Sequence, residues 1–105
     1  MVADIRANPG TPWTIRDMTD RLHVSEATLA RLTAKRYSMS PLRLVIHIRM
    51  SAASQLLVTT DKTVAEIAGH VGYQRSSAFT RLFIRHVGMS PGKYRKQARE
   101  QGVVE

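Results

Sequence analysis

The most constraining feature of this 105-residue chain is an internal repeat. A unit of about 28 residues occurs twice, and a stretch of about 20 residues separates the copies. A shift of 49 residues aligns 14–18 (TIRDM) with 63–67 (TVAEI). The second copy then has one extra residue, so the shift becomes 50. This shift aligns 29–32 (LARL) with 79–82 (FTRL), and 39–41 (MSP) with 89–91 (MSP). We therefore expect the two copies to fold alike.

The stretch between the copies predicts one long helix. Ser40 is a good N-cap, and Pro41 is tolerated at the first helical position. Neither Gly nor Pro occurs from 42 to 59, so we expect a single rod of roughly 27 Å at about 1.5 Å per residue. The apolar residues at helical spacing, which we expect on one buried face, are Leu42, Val45, Ile46, Met50, Ala53, Leu56 and Leu57.

The first copy predicts two short helices joined by a tight turn at His23-Val24. Thr14 is a good N-cap, Asp17 completes a capping box, and Trp13 is interpreted as a packing residue that staples the helix start. Ser25 is the predicted cap of the second helix. Two short helices with so brief a turn are typical of a helix-turn-helix. The residues expected to be buried are Ile15, Met18, Leu22, Leu29 and Leu32.

The second copy repeats this pattern. Thr63 and Glu66 predict a capping box, Gly72-Tyr73 the turn, and Gly88 the end of the second helix, since glycine tolerates a positive φ. The residues expected to be buried are Ile67, Ala68, Val71, Phe79, Leu82 and Phe83. The predicted organisation is an N-terminal segment at 1–12, a first helix-turn-helix at 13–39, the linker helix at 40–60, a second helix-turn-helix with a C-terminal helix at 61–100, and a fraying tail at 101–105.

Charge is distributed unevenly along each copy. The chain carries 16 Lys plus Arg against 8 Asp plus Glu, a net charge of +8, which indicates a polyanionic partner. The segments 27–60 and 67–99 contain five and seven basic residues and no acid. Acidic residues lie instead in or near the opening helices, where negative charge favours a helix N-terminus. Solubility alone does not require this pattern.

Several classes of function are disfavoured. The absence of cysteine excludes disulfides, thiolate metal sites and thiol nucleophiles, and fits a reducing compartment. No stretch approaches the ~20 apolar residues of a membrane span. The four histidines lack a metal-ligand spacing, and no catalytic constellation is visible. We therefore predict a cytoplasmic protein that is not an enzyme and has no catalytic residue, metal or cofactor.

A family resemblance is carried by 63–68 (TVAEIA), 71–73 (VGY), Ser77, 79–83 (FTRLF), Gly88, Ser90-Pro91 and Tyr94-Arg95. This string closely resembles the C-terminal signature of the AraC/XylS family of bacterial transcription regulators. With the linker residues, the likeness extends from about Trp13 to Arg95. It implies an all-α domain of about seven helices, in which two helix-turn-helix subdomains are joined by a long central linker helix. It also implies that their second helices enter adjacent major grooves on one face of the duplex.

The first copy departs from the family pattern. Thr19 replaces a usual Ala, Thr33 a usual Phe, and Ser38 a usual Gly. A Thr in place of a buried Phe weakens packing, so we expect the first module to be less rigid. Ala27 and Ala30 offer a base only methyl contact. We therefore expect the second copy to dominate base readout.

The predicted DNA contacts lie in the second helix of each copy and at the start of the last helix. Arg31 and Arg81 occupy equivalent places, and arginine is the commonest reader of guanine. Lys93 and Arg95 suit phosphate clamping near a helix N-terminus. The full predicted set is Glu26, Ala27, Thr28, Ala30, Arg31, Lys35, Gln74, Arg75, Ser76, Ser77, Thr80, Arg81, Arg85, Lys93 and Arg95.

The predicted function is sequence-specific binding of double-stranded promoter DNA, with regulation of bacterial transcription through contact with RNA polymerase. We expect this domain to be monomeric, with any dimerisation left to a separate N-terminal domain. One alternative is an architectural protein that binds DNA without sequence preference. A second is a basic module that binds acidic proteins. A third is a DNA-repair methyl acceptor, since some share this fold, but the lack of cysteine argues against it.

Overall fold

The computed structural model describes residues 1–101, and this part of the chain is all-α, as predicted. Residues 102–105 of the predicted fraying tail lie outside the described residues. The seven helices are α1 (Val2–Ala7), α2 (Ile15–Leu22), α3 (Glu26–Tyr37), α4 (Pro41–Thr59), α5 (Val64–His70), α6 (Ser76–Val87) and α7 (Pro91–Glu100). We call α1, α2, α3 and the first half of α4 unit one, and the second half of α4 with α5, α6 and α7 unit two.

Side-chain caps explain where α2 and α5 begin. The Thr14 hydroxyl accepts the Asp17 backbone N–H, and the Asp17 carboxylate accepts the Thr14 N–H, at 3.1 and 2.9 Å. Thr63 and Glu66 form the same pair at 3.1 and 3.0 Å, so both predicted capping boxes are confirmed. The pKa of each carboxyl lies below its ordinary value. The main cause is the hydrogen bond from the threonine backbone, and the second cause is the hydrogen bond from the threonine side chain.

The linker helix α4 is continuous, as predicted, but it buries two faces rather than one. Its first half packs on the core of unit one and its second half on the core of unit two. At 3.6 residues per turn, the two buried sets lie on roughly opposite sides of the helix. Leu42 is 48% exposed, so the predicted single face was wrong. Unit one receives Leu44, Val45 and Ile48, and unit two receives Met50, Ala53 and Leu57.

The two cores differ in their aromatic content. In unit two, Phe83 lies 5.8 Å from Phe79 and 5.6 Å from Tyr94, measured between ring centroids. Unit one has the buried Thr33 at the position of Phe83, with its hydroxyl donating to the Ala30 carbonyl of the same helix. Threonine cannot supply the volume of a phenyl ring. This substitution supports the expectation that unit one packs less densely.

A groove of about 820 Å³ opens beside Thr33, between α1 and α3. Leu22 and Leu32 border it and are 37% and 49% exposed, so the prediction that both are buried was wrong. Their apolar surface faces the space that no aromatic ring fills. Trp13, by contrast, is buried as predicted, and its indole Nε1 donates to the Asn8 carbonyl at 3.0 Å.

Two positions in each unit adopt the left-handed backbone conformation. Unit two places glycine at both, with φ of 101° at Gly72 and 92° at Gly88. Unit one has His23 and Ser38 instead, at 55° and 58°. A residue with a Cβ loses roughly 1–2 kcal/mol in this region. The turns of unit one therefore carry backbone strain that unit two avoids.

Candidate nucleic-acid interface

The predicted contacts of unit one all lie on α3. The Ser25 hydroxyl caps this helix by accepting the Thr28 N–H, and it donates to Thr28 Oγ1 at 3.0 Å. Arg31 Nη2 donates to the same Thr28 oxygen at 3.1 Å, which orients the guanidinium near the helix start. Of the predicted set, Thr28 is half-buried and Glu26, Ala27, Ala30, Arg31 and Lys35 are exposed.

Seven of the predicted contacts of unit two lie on α6 or just before it, and the other two, Lys93 and Arg95, lie on α7. Arg75 occupies the N-cap position without a side-chain capping bond. Arg81 and Arg85 border a shallow cleft of about 280 Å³, with Ala78 at the position equivalent to Thr28. Within residues 1–101, the Arg81 side chain has no hydrogen-bond partner, so its fork of donors is free. Ser76 and Thr80 are half-buried, and Gln74, Arg75, Ser77, Arg81 and Arg85 are exposed.

The basic side chains of this surface are not neutralised by acids. Within residues 1–101, the ion pairs are Arg16–Asp20, Arg21–Asp4 and Arg99–Asp61, and none includes a predicted contact. Six exposed cations of the predicted set form no ion pair within residues 1–101 and can therefore meet phosphates, whose neutralisation supplies most non-specific affinity for DNA. They are Arg31, Lys35, Arg75, Arg81, Arg85 and Lys93.

Arg95 has a structural role that the sequence did not reveal. Its Nε donates to the Leu57 carbonyl at 2.8 Å, and its Nη2 donates to the carbonyls of Thr60 and Lys62 at 3.1 and 2.7 Å. Leu57 and Thr60 lie at the C-terminal end of α4, where carbonyls lack intrahelical partners, and Lys62 lies in the loop that follows. The predicted phosphate contact of Arg95 stays a prediction, with its Nε and Nη2 already engaged in these bonds, whereas Lys93 is exposed near the start of α7.

Sequence reasoning also missed the role of Arg49, which the sequence shows only as one of the five basic residues of the segment 27–60. Its guanidinium donates to the carbonyls of Pro9 and Thr11 at 2.8 and 2.9 Å. It also lies over the ring of Tyr73, 5.2 Å from the centroid. The signal available in the sequence was a charge placed directly between the apolar residues Ile48 and Met50, and the structure shows that this charge is half-buried.

Two further observations concern other kinds of site. In the part of the chain that the structure describes, no three His, Cys, Asp or Glu side chains come together in a way that could hold a metal ion. Across the same residues, no helix combines the length and apolar character needed to cross a membrane.

The structure contains two helix-turn-helix units that share a central helix. The basic side chains on the second helix of each unit form no ion pair within residues 1–101. These features place the chain in the class of double helix-turn-helix domains. The model of the family described as "Helix-turn-helix domain" matches residues 18–97. The chain belongs to the AraC-type helix-turn-helix family, and the curated relatives that it matches include transcription regulators and activators rather than enzymes. This confirms the resemblance seen in the sequence.

Individual relatives support the family assignment. The RCS-specific transcriptional activator RclR of Escherichia coli K12 is 33% identical over 92 residues, which cover 88% of this chain and 32% of RclR. An AraC-type regulator structure from Chromobacterium violaceum has a TM-score of 0.86 at 26% identity, covering 91% of this chain and 86% of that one. The DNA-binding domain of AdpA, solved with a target DNA, has a TM-score of 0.87 at 29% identity, covering 95% and 90%.

The chain spans about a third or less of the length of the curated relatives it matches, between 28% and 34% of each. The activities and partners of those whole proteins therefore do not transfer with the fold.

Proposed function

We propose that this chain binds double-stranded promoter DNA in a sequence-specific manner and thereby regulates bacterial transcription in the cytoplasm. In this proposal α3 and α6 enter adjacent major grooves on one side of the duplex. The observation that carries it is the likeness to the AdpA domain in complex with DNA, which extends over 95% of this chain and hence over both units. The arrangement of the two units thus matches one that engages DNA.

The exposed face of each second helix supports base readout. Arg31 and Arg81 both retain donors that can pair with guanine O6 and N7. Arg31 is oriented by Thr28, and Arg81 lies free beside Arg85. Phosphate contacts from Lys93 and the remaining cations would set the register of the protein on the duplex.

Selection of bound sequences from a random pool of duplexes tests specificity. We expect recovery of a bipartite motif with half-sites about one helical turn apart. Arg81→Ala should reduce affinity by about 1–3 kcal/mol and relax preference at one base position. Lys93→Ala should weaken all sequences alike and lower the slope of log affinity against log salt by about 0.9.

A competition experiment separates this proposal from an architectural role. A labelled selected duplex is challenged with excess genomic DNA, and only a specific reader should retain it, since specific affinity exceeds non-specific affinity by roughly a thousandfold or more. Loss of the labelled duplex to genomic DNA as complete as its loss to the same excess of unlabelled selected duplex would favour the architectural alternative.

We further propose that the domain itself is monomeric on DNA and that regulation proceeds through RNA polymerase. Two recognition helices in one chain already span two groove segments. Transcription from a selected promoter, with the domain present and absent, tests contact with the polymerase, and light scattering of the complex tests its stoichiometry.

A further inference from the structure

We propose that Arg49 fixes the spacing between the two DNA half-sites that this domain accepts. It does so by fastening unit two to the loop between α1 and α2 in unit one. This inference rests on the proposed two-groove function. Arg49 is thus a positioning residue, because its donors are used within the protein.

The first step of the argument is that Arg49 touches both units. It projects from α4 and donates to the carbonyls of Pro9 and Thr11, in the loop between α1 and α2. Its guanidinium also lies over the ring of Tyr73, in the turn between α5 and α6. A cation over an aromatic face is attracted by the ring quadrupole. One side chain therefore joins the loop of unit one to the turn that orients α6.

The second step is that the loop and the turn meet without side chains between them. A Cβ at Gly10 would lie 2.6 Å from the His70 carbonyl oxygen. A Cβ at Gly72 would lie 3.3 Å from the Gly10 Cα and 3.1 Å from the Arg49 guanidinium. Contacts below about 3 Å are not tolerated, so glycine at position 10 permits this approach.

The third step is that the loop is fixed to the core of unit one. Ile5 of α1 is fully buried in that core. Trp13 is also buried there, and its indole bonds back to the Asn8 carbonyl. The loop at 8–14 is thus held at both ends and in turn holds the Arg49 guanidinium. A displacement of unit two against the loop would therefore separate the Tyr73 ring from that guanidinium.

The units are therefore attached at two places, through α4 and through the Arg49 junction. A helix alone allows bending and twisting between the bodies at its ends, whereas a second attachment removes that freedom. When two binding surfaces are linked, affinity depends on whether their separation matches the sites, and a rigid link makes this dependence steep.

The experiment measures affinity against half-site spacing. Duplexes carry the two selected half-sites at the selected spacing, or with one to three base pairs added or removed, and a further duplex carries a single half-site. The wild-type domain should lose affinity steeply when the spacing changes. Arg49→Met, which keeps the aliphatic stem and removes the guanidinium, should bind the selected spacing roughly tenfold more weakly and the altered spacings with a smaller penalty.

Companion variants separate geometry from charge and from loss of fold. Arg49→Lys keeps the charge but not the paired donors, so it should behave as Arg49→Met does. Gly10→Ala should relax the spacing preference without altering any arginine. Tyr73→Phe keeps the ring and removes a hydroxyl that is buried without a partner among residues 1–101, so its spacing profile should stay wild-type. Arg16→Met, at a side chain 90% exposed, is the matched control.

The single half-site duplex reports folding, and all variants should bind it as the wild type does. A uniform loss at every spacing, or a wild-type spacing profile in Arg49→Met or Arg49→Lys, would overturn the inference. If the wild-type domain bound a single half-site but showed no preference for spacing, that result would contradict the proposed two-groove function. The spacing profiles of the variants would then be the same as that of the wild type.

Discussion

Replacing Arg95 by methionine should destabilise the fold and leave the electrostatics of DNA binding intact. The substitution keeps the aliphatic stem but removes three charge-assisted hydrogen bonds to backbone carbonyls. The Thr60 carbonyl keeps a partner, since Arg99 Nη2 also donates to it at 3.0 Å. The carbonyls of Leu57 and Lys62 lose theirs.

The magnitude follows from those two acceptors. A hydrogen bond to a charged group contributes about 1.5–3 kcal/mol, and water recovers part of this when the acceptor lies near the surface. The bond to Lys62 is exposed and that to Leu57 is partly buried. We therefore expect the free energy of unfolding to fall by roughly 2–3 kcal/mol, less than the sum of the separate bonds.

Urea denaturation followed by helical circular dichroism measures this loss, and Lys93→Met provides the crossed control. Lys93 is exposed two residues earlier on the same helix. Its replacement should change stability by less than about 0.5 kcal/mol and lower the salt slope of DNA affinity by about 0.9. Arg95→Met should show the opposite pattern.

The reasoning would be refuted if Arg95→Met retained wild-type stability and lowered the salt slope as Lys93→Met does. In that case the guanidinium would meet phosphate, as the sequence had suggested, and the carbonyl contacts would carry no weight.

Three further predictions concern the asymmetry of the units and the capping boxes. Ser38→Gly should raise the free energy of unfolding by about 0.5–1 kcal/mol, because the gain from removing the strain of a left-handed serine exceeds the entropy cost of glycine. The reverse change, Gly88→Ser, should lower the free energy of unfolding. The urea midpoints of the two variants test this pair of predictions. Phe83→Thr, which copies unit one into unit two, should destabilise by about 3–5 kcal/mol, since the ring is fully buried between two others; a loss below about 1 kcal/mol in the same assay would show that the aromatic core is not critical. The folded-state pKa values of Asp17 and Glu66 lie below their ordinary values of 3.8 and 4.5, so the stability they confer is present above those values and is lost as pH falls through the lower folded ones. The melting temperature should therefore drop on acidification through this range, and Asp17→Asn with Glu66→Gln should make the drop shallower; an unchanged acid profile in the double variant would contradict the linkage.

Local signals explain which parts of the fold could be predicted. Capping residues such as Thr14 and Thr63 act through neighbours three positions away, so they fix helix starts from sequence alone. The repeat added the pairing of the two units. The second buried face of α4 was missed because a single-face template cannot represent a helix shared by two cores, and Leu44 and Ile48 were therefore overlooked.

The candidate site was less predictable, because the role of a basic side chain depends on what the fold brings near it. Lys93 and Arg95 are two residues apart, yet one is exposed and the other bonds to carbonyls more than thirty positions earlier in the chain. Arg49 likewise meets Pro9 and Tyr73 only after folding. The spacing of these residues in the sequence does not indicate such contacts.

Because α4 contributes to both cores, a cut in the backbone on either side of this helix leaves one fragment without part of its apolar core. Cleavage before the helix would separate the core of unit one from Leu44, Val45 and Ile48, and cleavage after it would separate the core of unit two from Met50, Ala53 and Leu57. The two units should thus unfold in a single cooperative transition. A destabilising substitution in the core of one unit should therefore lower the stability of the other unit as well.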